Sequence, residues 1–203
     1  IWHMPLYKKL REILDAGTLG KVNLLTMNFG SFKEYDMSNR FFNMNLAGGA
    51  MLDIGVYALS IVRSFLDEQP DEIVSQWKPS PTGSDEQATI LLKNAQGQMA
   101  TVALSMHSKQ PKRAMISLEK GYIEIMEYPR ADKAVIVDAE SGAQTEITAG
   151  DTADALYYEM QDMEQAVKSG DASAMQLAYS KDVMEIMTKL RKDWGMKYPG
   201  EAW

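Results

Sequence analysis

The strongest constraint on the fold is a block of short apolar runs between residues 71 and 148 with no room between them for a helix. Four to seven strands are expected there, over 73–77, 87–92, 99–107, 115–118, 122–126, 134–137 and 144–148. The breaks carry turn formers: Pro79-Ser80-Pro81, Asn94-Ala95-Gln96-Gly97 and Ser141-Gly142. A parallel pair needs a crossover of about a dozen residues or more, so most pairings here should be antiparallel.

Helical periodicity is confined to the flanks. Pro5 suits a first helical turn, Leu6, Leu10, Ile13 and Leu14 recur at helical spacing, and Gly17 closes the pattern, giving a helix over 5–16. A strand over 21–32 follows, then a polar stretch over 33–46 long enough to be a functional loop. A second helix starts near Gly48-Gly49 and runs to Leu66. Two more close the chain, over 154–168 with the stripe Leu156, Met160, Met163, Val167, and over 180–194 with Val183, Met184, Met187, Leu190. Helices segregated from strands predict one α+β domain over 1–203: a large open sheet with helices stacked on one face. Trp77, Ile90, Leu92, Val102 and Leu104 look too many for that one face, so a second copy is expected to cover the other, giving a homodimer through the sheet.

Composition narrows the function. A net charge of −7 without a basic stripe argues against nucleic-acid binding, since Lys8-Lys9-Arg11 and Lys109-Lys112-Arg113 are too short to form one. The longest apolar run, 54–65, is interrupted by Tyr57, Ser60 and Arg63 and falls short of the ~20 residues of a membrane span. With no cysteine there is no thiolate nucleophile, thiolate metal site or disulfide, which fits a cytoplasmic setting. The two histidines, His3 and His107, neighbour no cluster at metal-ligand spacing, so no metal is expected. The fifteen methionines fall mainly at core positions and read as packing. Ile1-Trp2-His3-Met4-Pro5 reads as the start of a piece trimmed from a longer chain.

Chemistry concentrates between Leu46 and Ser60. Paired glycines at a helix start allow close approach of backbone or ligand and leave N–H groups and a positive dipole end facing it. Gly49, Asp53 and Tyr57 follow at i, i+4 steps and share a face. A carboxylate and a phenol one turn apart can bind a hydroxyl or carbonyl oxygen and exchange its proton. A phenol titrates near ~10, so such work at neutral pH needs a cation beside it, and no adjacent turn supplies one. The spacing alone fits a plainer reading better: Asp53 bonding a loop N–H and Tyr57 packing half-buried.

The run Gly48-Gly49-Ala50-Met51-Leu52-Asp53-Ile54-Gly55-Val56-Tyr57 resembles the central helix of the glucose-fructose oxidoreductase / inositol dehydrogenase / MocA superfamily. The resemblance extends to Trp2-His3-Met4-Pro5, to 10–22, to Arg40-Phe41-Phe42-Asn43 and to the tail 194–201, so it spans essentially the whole chain. Many members carry His where this chain has Tyr57; the tyrosine resembles the dihydrodiol dehydrogenase and glucose-fructose oxidoreductase branch. The resemblance implies a C-terminal α+β domain preceded by a Rossmann domain whose Glu-Lys-Pro motif would supply the missing cation. Neither that motif nor a G-x-G-x-x-G occurs here.

By that resemblance the parent protein moves a hydride between NAD or NADP and a carbinol or carbonyl carbon of a sugar, polyol or trans-dihydrodiol. Tyr57 would be the acid/base and Asp53 would orient the substrate or the nicotinamide ribose. Trp2, His3, Arg40, Phe41 and Gly49 are the candidate substrate contacts, although His3 and Trp2 suit terminal packing as well and Phe41-Phe42 suit loop anchoring. The other class open to this fold is a non-catalytic sugar-binding sensor or co-repressor. In either case the chain alone, without the cofactor domain, is expected to be inactive.

Overall fold

Period-two alternation places Met27 and Phe29, Ile90 and Leu92, Val102 and Leu104, Ala114 and Ile116, Ile123 and Ile125 on one side of a single sheet, where all ten are buried. The computed structural model describes residues 1–202. Its eight strands are β1 (Val22–Gly30), β2 (Glu72–Pro79), β3 (Asp85–Lys93), β4 (Met99–Ser105), β5 (Gln110–Leu118), β6 (Gly121–Met126), β7 (Lys133–Asp138) and β8 (Gln144–Thr148). They lie in the order β2-β3-β4-β1-β5-β6-β7-β8, and every neighbouring pair is antiparallel except β1 with β4. All seven strand runs of the 71–148 block are present.

Helix α1 (Pro5–Asp15) buries Leu6, Tyr7 and Leu10, and Gly17 takes a left-handed φ of 70° just past its end. Helix α2 (Val56–Phe65) buries Ala58, Leu59, Ile61, Val62 and Phe65 and packs on β1, β4 and β5. Burying one such side chain stabilises the fold by roughly 1.5–3 kcal/mol, which makes α2 the centre of the hydrophobic layer. Helix α4 (Leu177–Asp193) lies against α2 through Val183, Ile186, Met187 and Leu190. The segment Met44–Phe65, 22 residues whose most apolar window has mean hydropathy 1.4, is long and apolar enough by composition to span a membrane. However, 61% of its most apolar window is buried inside the fold, as in a core helix.

Three expectations are corrected. Ile90 and Leu92, like Val102 and Leu104, are two residues apart, so each pair shares the helix-facing side; these four are not surplus, and Trp77 stacks on Trp194 with centroids 5.2 Å apart. The stripe on helix α3 (Ala155–Ser169) faces solvent: Leu156, Met160, Met163 and Val167 are 62%, 65%, 48% and 76% exposed, and only Ala166 is buried. On α4, Met184 is exposed and Ile186 takes the core position instead.

Candidate functional site

The helix that carries Asp53 and Tyr57 begins irregularly. Met51–Gly55 form one π turn, with the Val56 N–H reaching back five residues to Met51 O, before α2 proper. Gly55 permits this: a Cβ there would lie 2.9 Å from Leu104 Cδ1 and 3.0 Å from Met51 Sδ, so the wide turn sits hard against β4. Asp53 and Tyr57 still face one cleft.

The glycine pair does a different job from the one its sequence suggested. The Gly48 N–H donates to Asn43 O and the Gly49 N–H to Phe41 O, both at 2.9 Å, and the Tyr198 hydroxyl donates to Gly48 O at 2.7 Å. The Met51 N–H donates to Asp85 Oδ2 at 2.5 Å. The amides at this helix start therefore already have protein acceptors, and there is no open nest for a phosphate. Gly49 sits at φ 131°, and a Cβ on it would lie 1.9 Å from Asp85 Oδ1. Glycine is required here to admit a buried carboxylate. Burial pushes the Asp85 carboxyl up to about 7, against the opposing pull of the Met51 and Ala50 N–H groups.

Asn39 and Asn43 cap two tight turns, Arg40–Phe42 and Met44–Leu46, which fold the polar stretch back over the helix start. This brings Arg40 to Asp53, with Nη2 2.5 Å from Oδ1. A cation does reach this face, delivered by the loop. The Arg40 guanidinium also lies over the Phe41 ring at 4.6 Å, and the Lys33 ammonium over the same ring at 4.4 Å.

The resulting cleft has a volume of about 480 Å³. Asp53, Tyr57, Arg40 and Phe41 line it, joined by Phe29, Lys33, Lys112, Glu127, Arg130 and Thr152. Tyr57 is 36% exposed, its ring 6.1 Å from Phe29, and its hydroxyl has no hydrogen-bond partner among the described residues. Lys112 is paired with Glu127 at 2.7 Å and lies over the Phe29 ring at 5.5 Å. His107 packs at the rim against Tyr35 (4.1 Å) and Phe32 (5.1 Å), with Nδ1 2.8 Å from Lys33 O, and so fixes the strand exit that carries Lys33.

Two of the candidates lie elsewhere. The Trp2 indole packs edge-on against Tyr179 and donates to Ser60 O at 3.3 Å. His3 Nδ1 lies 2.8 Å from Asp162, which Lys8 also contacts. Both tie the start of the chain to α2, α3 and α4, away from the cleft. Lys33, Lys112, Glu127, Arg130, Thr152 and Asp85 carried no local sequence signal, because strand pairing and the turns after it bring them to the site from distant parts of the chain. Among the described residues, no group of three or more His, Asp or Glu is placed to hold a metal ion.

A profile of the GFO/IDH/MocA C-terminal domain matches residues 7–124, more than half of the chain. The chain is 26% identical over 210 residues to trans-1,2-dihydrobenzene-1,2-diol dehydrogenase of Mus musculus and 27% over 206 residues to that of Xenopus laevis. These alignments cover 98% and 96% of this chain but only 62% and 61% of the relatives' length. Among solved structures it superposes on a 3-ketoreductase from Actinomadura kijaniata, in complex with NADP and TDP-benzene, at TM-score 0.74 and 20% identity, over 91% of this chain and 57% of that one. It also superposes on an aldose-aldose oxidoreductase from Caulobacter crescentus complexed with glycerol, at TM-score 0.70 and 17% identity, over 94% and 59%. The fold, the Gly-Gly to Tyr57 helix and the profile match agree: the chain belongs to the GFO/IDH/MocA family as its C-terminal domain.

Proposed function

We propose that this chain is the substrate-binding domain of an NAD(P)-dependent oxidoreductase acting on a hydroxyl or carbonyl carbon of a polyol, sugar or trans-dihydrodiol. The observation that carries this reading is the unpartnered Tyr57 hydroxyl in a cleft beside the Arg40–Asp53 pair. The relatives named as dihydrodiol dehydrogenases support it.

NAD(P) would supply the acceptor or donor of the hydride. The residues present fit only its reacting end, because the amides that could cradle phosphates are bonded to Asn43, Phe41 and Asp85. The phosphates belong to a preceding Rossmann domain. Tyr57 takes the proton from the substrate hydroxyl in oxidation and returns it in reduction. Asp53, held by Arg40, accepts a hydrogen bond from a neighbouring substrate hydroxyl or the nicotinamide ribose, and Phe29 and Phe41 wall the substrate carbon. The phenol still needs a cation of its own, because Arg40 is engaged by Asp53; the family resemblance assigns that role to a lysine of the preceding domain. Joining the chain to that domain and following nicotinamide absorbance with polyols, aldoses and dihydrodiols tests the reading. Retained ligand binding with no nicotinamide-linked turnover on any of them would instead favour the sensor.

With its helix-start amides already bonded, the chain alone should hold the dinucleotide only weakly. It binds NADH or NADPH no tighter than the millimolar range in a calorimetric titration, and micromolar binding would mean that the dinucleotide site has been misplaced.

A second copy on the open face of the sheet completes the proposal. That face shows Val74, Leu91 and Met99 at 65%, 52% and 48% exposure, with Leu24, Met115, Tyr122 and Val135 half-buried beside them. Apolar residues spread over a broad sheet face, with Thr26 and Thr101 among them, suit an interface with a second copy. Light scattering at high micromolar concentration should give the mass of two chains; a single-chain mass would count against it.

A further inference from the structure

The cleft is basic in an acidic protein. The chain carries 28 acids against 21 Lys and Arg, yet the cleft holds Lys33, Arg40, Lys112 and Arg130 against only Asp53 and Glu127. Two cations are neutralised within it, Arg40 by Asp53 at 2.5 Å and Lys112 by Glu127 at 2.7 Å. Lys33 and Arg130 have no carboxylate within ion-pair distance among the described residues. A dihydrodiol or a neutral polyol gives such cations nothing to pair with.

Both are also held in place. The backbone at Lys33 is bonded through its carbonyl to His107 Nδ1 at 2.8 Å and through its N–H to Met106 O at 2.8 Å, while its ammonium rests on Phe41. Arg130 ends the tight turn Tyr128–Arg130, entered through Glu127 at a left-handed φ of 51°, an uncommon conformation for a non-glycine residue. That turn is anchored by the fully buried Tyr128, and the Thr152 hydroxyl donates to Arg130 O at 2.7 Å. Two backbone positions fixed just after β1 and in the turn before β7, whose cations have no carboxylate partner, are preorganised to receive an anion. A cleft lined by one sign of charge also concentrates an oppositely charged ligand.

We propose that the substrate is a polyhydroxylated anion, a sugar acid or sugar phosphate, whose charged group is bound by Lys33 and Arg130 while its carbinol carbon lies at Tyr57. This rests on the cleft being the substrate site, but its test needs no turnover. Ligand-detected NMR titrations of the chain with D-glucuronate, D-glucose 6-phosphate, inorganic phosphate and D-glucose separate carboxylate, phosphate and neutral recognition. At least one sugar anion should bind about ten-fold more tightly than glucose, the value of one charge-assisted hydrogen bond. Lys33→Met and Arg130→Gln should each remove about that ten-fold and flatten its salt dependence, with little change in thermal melting, because Arg130 is exposed and methionine keeps an apolar stem against Phe41. Equal binding of glucose and the anions would overturn the proposal, and so would anion binding that survives both substitutions. Inorganic phosphate binding as tightly as the sugar anions would also overturn it, as a bare ion site with no place for the polyol. Because the readout is binding, a Tyr57→Phe variant with normal activity would end the acid/base reading and leave this result intact.

Discussion

Tyr57→Phe, assayed in the chain joined to the cofactor domain proposed for it, should lower turnover by about 10²–10⁴-fold, the usual contribution of a positioned proton-transfer group. The substitution removes one oxygen. That hydroxyl has no protein partner among the described residues, and the ring keeps its contact with Phe29 at 6.1 Å, so fold and packing are preserved. Cofactor affinity should hardly move, because the amides at this helix start are bonded to Asn43, Phe41 and Asp85 and Tyr57 itself offers a phosphate nothing. Asp53→Asn should act more mildly: it loses the ion pair to Arg40 but keeps an acceptor for a substrate hydroxyl. If Tyr57 only packs, its Phe variant keeps near-normal turnover, and not even the ~1 kcal/mol of a broken hydrogen bond is lost. Steady-state kinetics with a thermal melt of the same sample separates the two cases, and full activity in Tyr57→Phe would end the catalytic assignment.

How much of this was legible in the sequence depends on the range of the interaction involved. The strands of the 71–148 block were visible because both the alternation and the turns that punctuate it are local; Gly97 and Gly142 indeed adopt left-handed φ of 81° and 69°. Alternation also assigns sides, and the two-residue spacing of Ile90 with Leu92 and of Val102 with Leu104 already placed each pair on one side. A stripe is a weaker signal, since it shows that a helix has an apolar side but not what lies against it. Val183, Met187 and Leu190 found α2, whereas the α3 stripe found nothing within the described residues.

At the site, Asp53 and Tyr57 were legible because they lie on one helix. Arg40 was visible as a loop residue but not as the partner of Asp53, which depends on Asn39 and Asn43 folding the loop back. The rest of the basic wall comes from the end of β1, the start of β5 and the turn before β7, and is assembled by the pairing of β1 with β5 and β5 with β6. The paired glycines were correctly singled out but for the wrong reason. They looked like an opening for a ligand, and the structure fills that opening with the side chain of Asp85.

Gly49→Ala should therefore destabilise the chain by about 2–6 kcal/mol, combining ~1–3 for a non-glycine at φ 131° with ~1–3 for overpacking against Asp85. Urea unfolding measures it. The double variant Gly49→Ala/Asp85→Ala should recover the overpacking part, and strict additivity of the two single effects would mean that Asp85 is not the obstacle. Asp85 also carries a pH signature. Its carboxyl titrates near 3.8 when unfolded and about 7 when folded, so between those values the folded chain binds the extra proton. Stability then falls as pH rises through that interval and levels off above it. Three pKa units correspond to on the order of 4 kcal/mol for a group this buried. Other carboxylates titrate in the same range, so the quantity to follow is the stability of wild type minus that of Asp85→Asn, which cannot ionise. That difference should decline from pH 4 to pH 7. A flat difference would mean that the Met51 and Ala50 N–H groups and the dipole of the helix offset burial fully and keep Asp85 charged. The carboxylate would then act as an ionic anchor for the helix that presents Tyr57, and Asp85→Asn should loosen that helix at neutral pH.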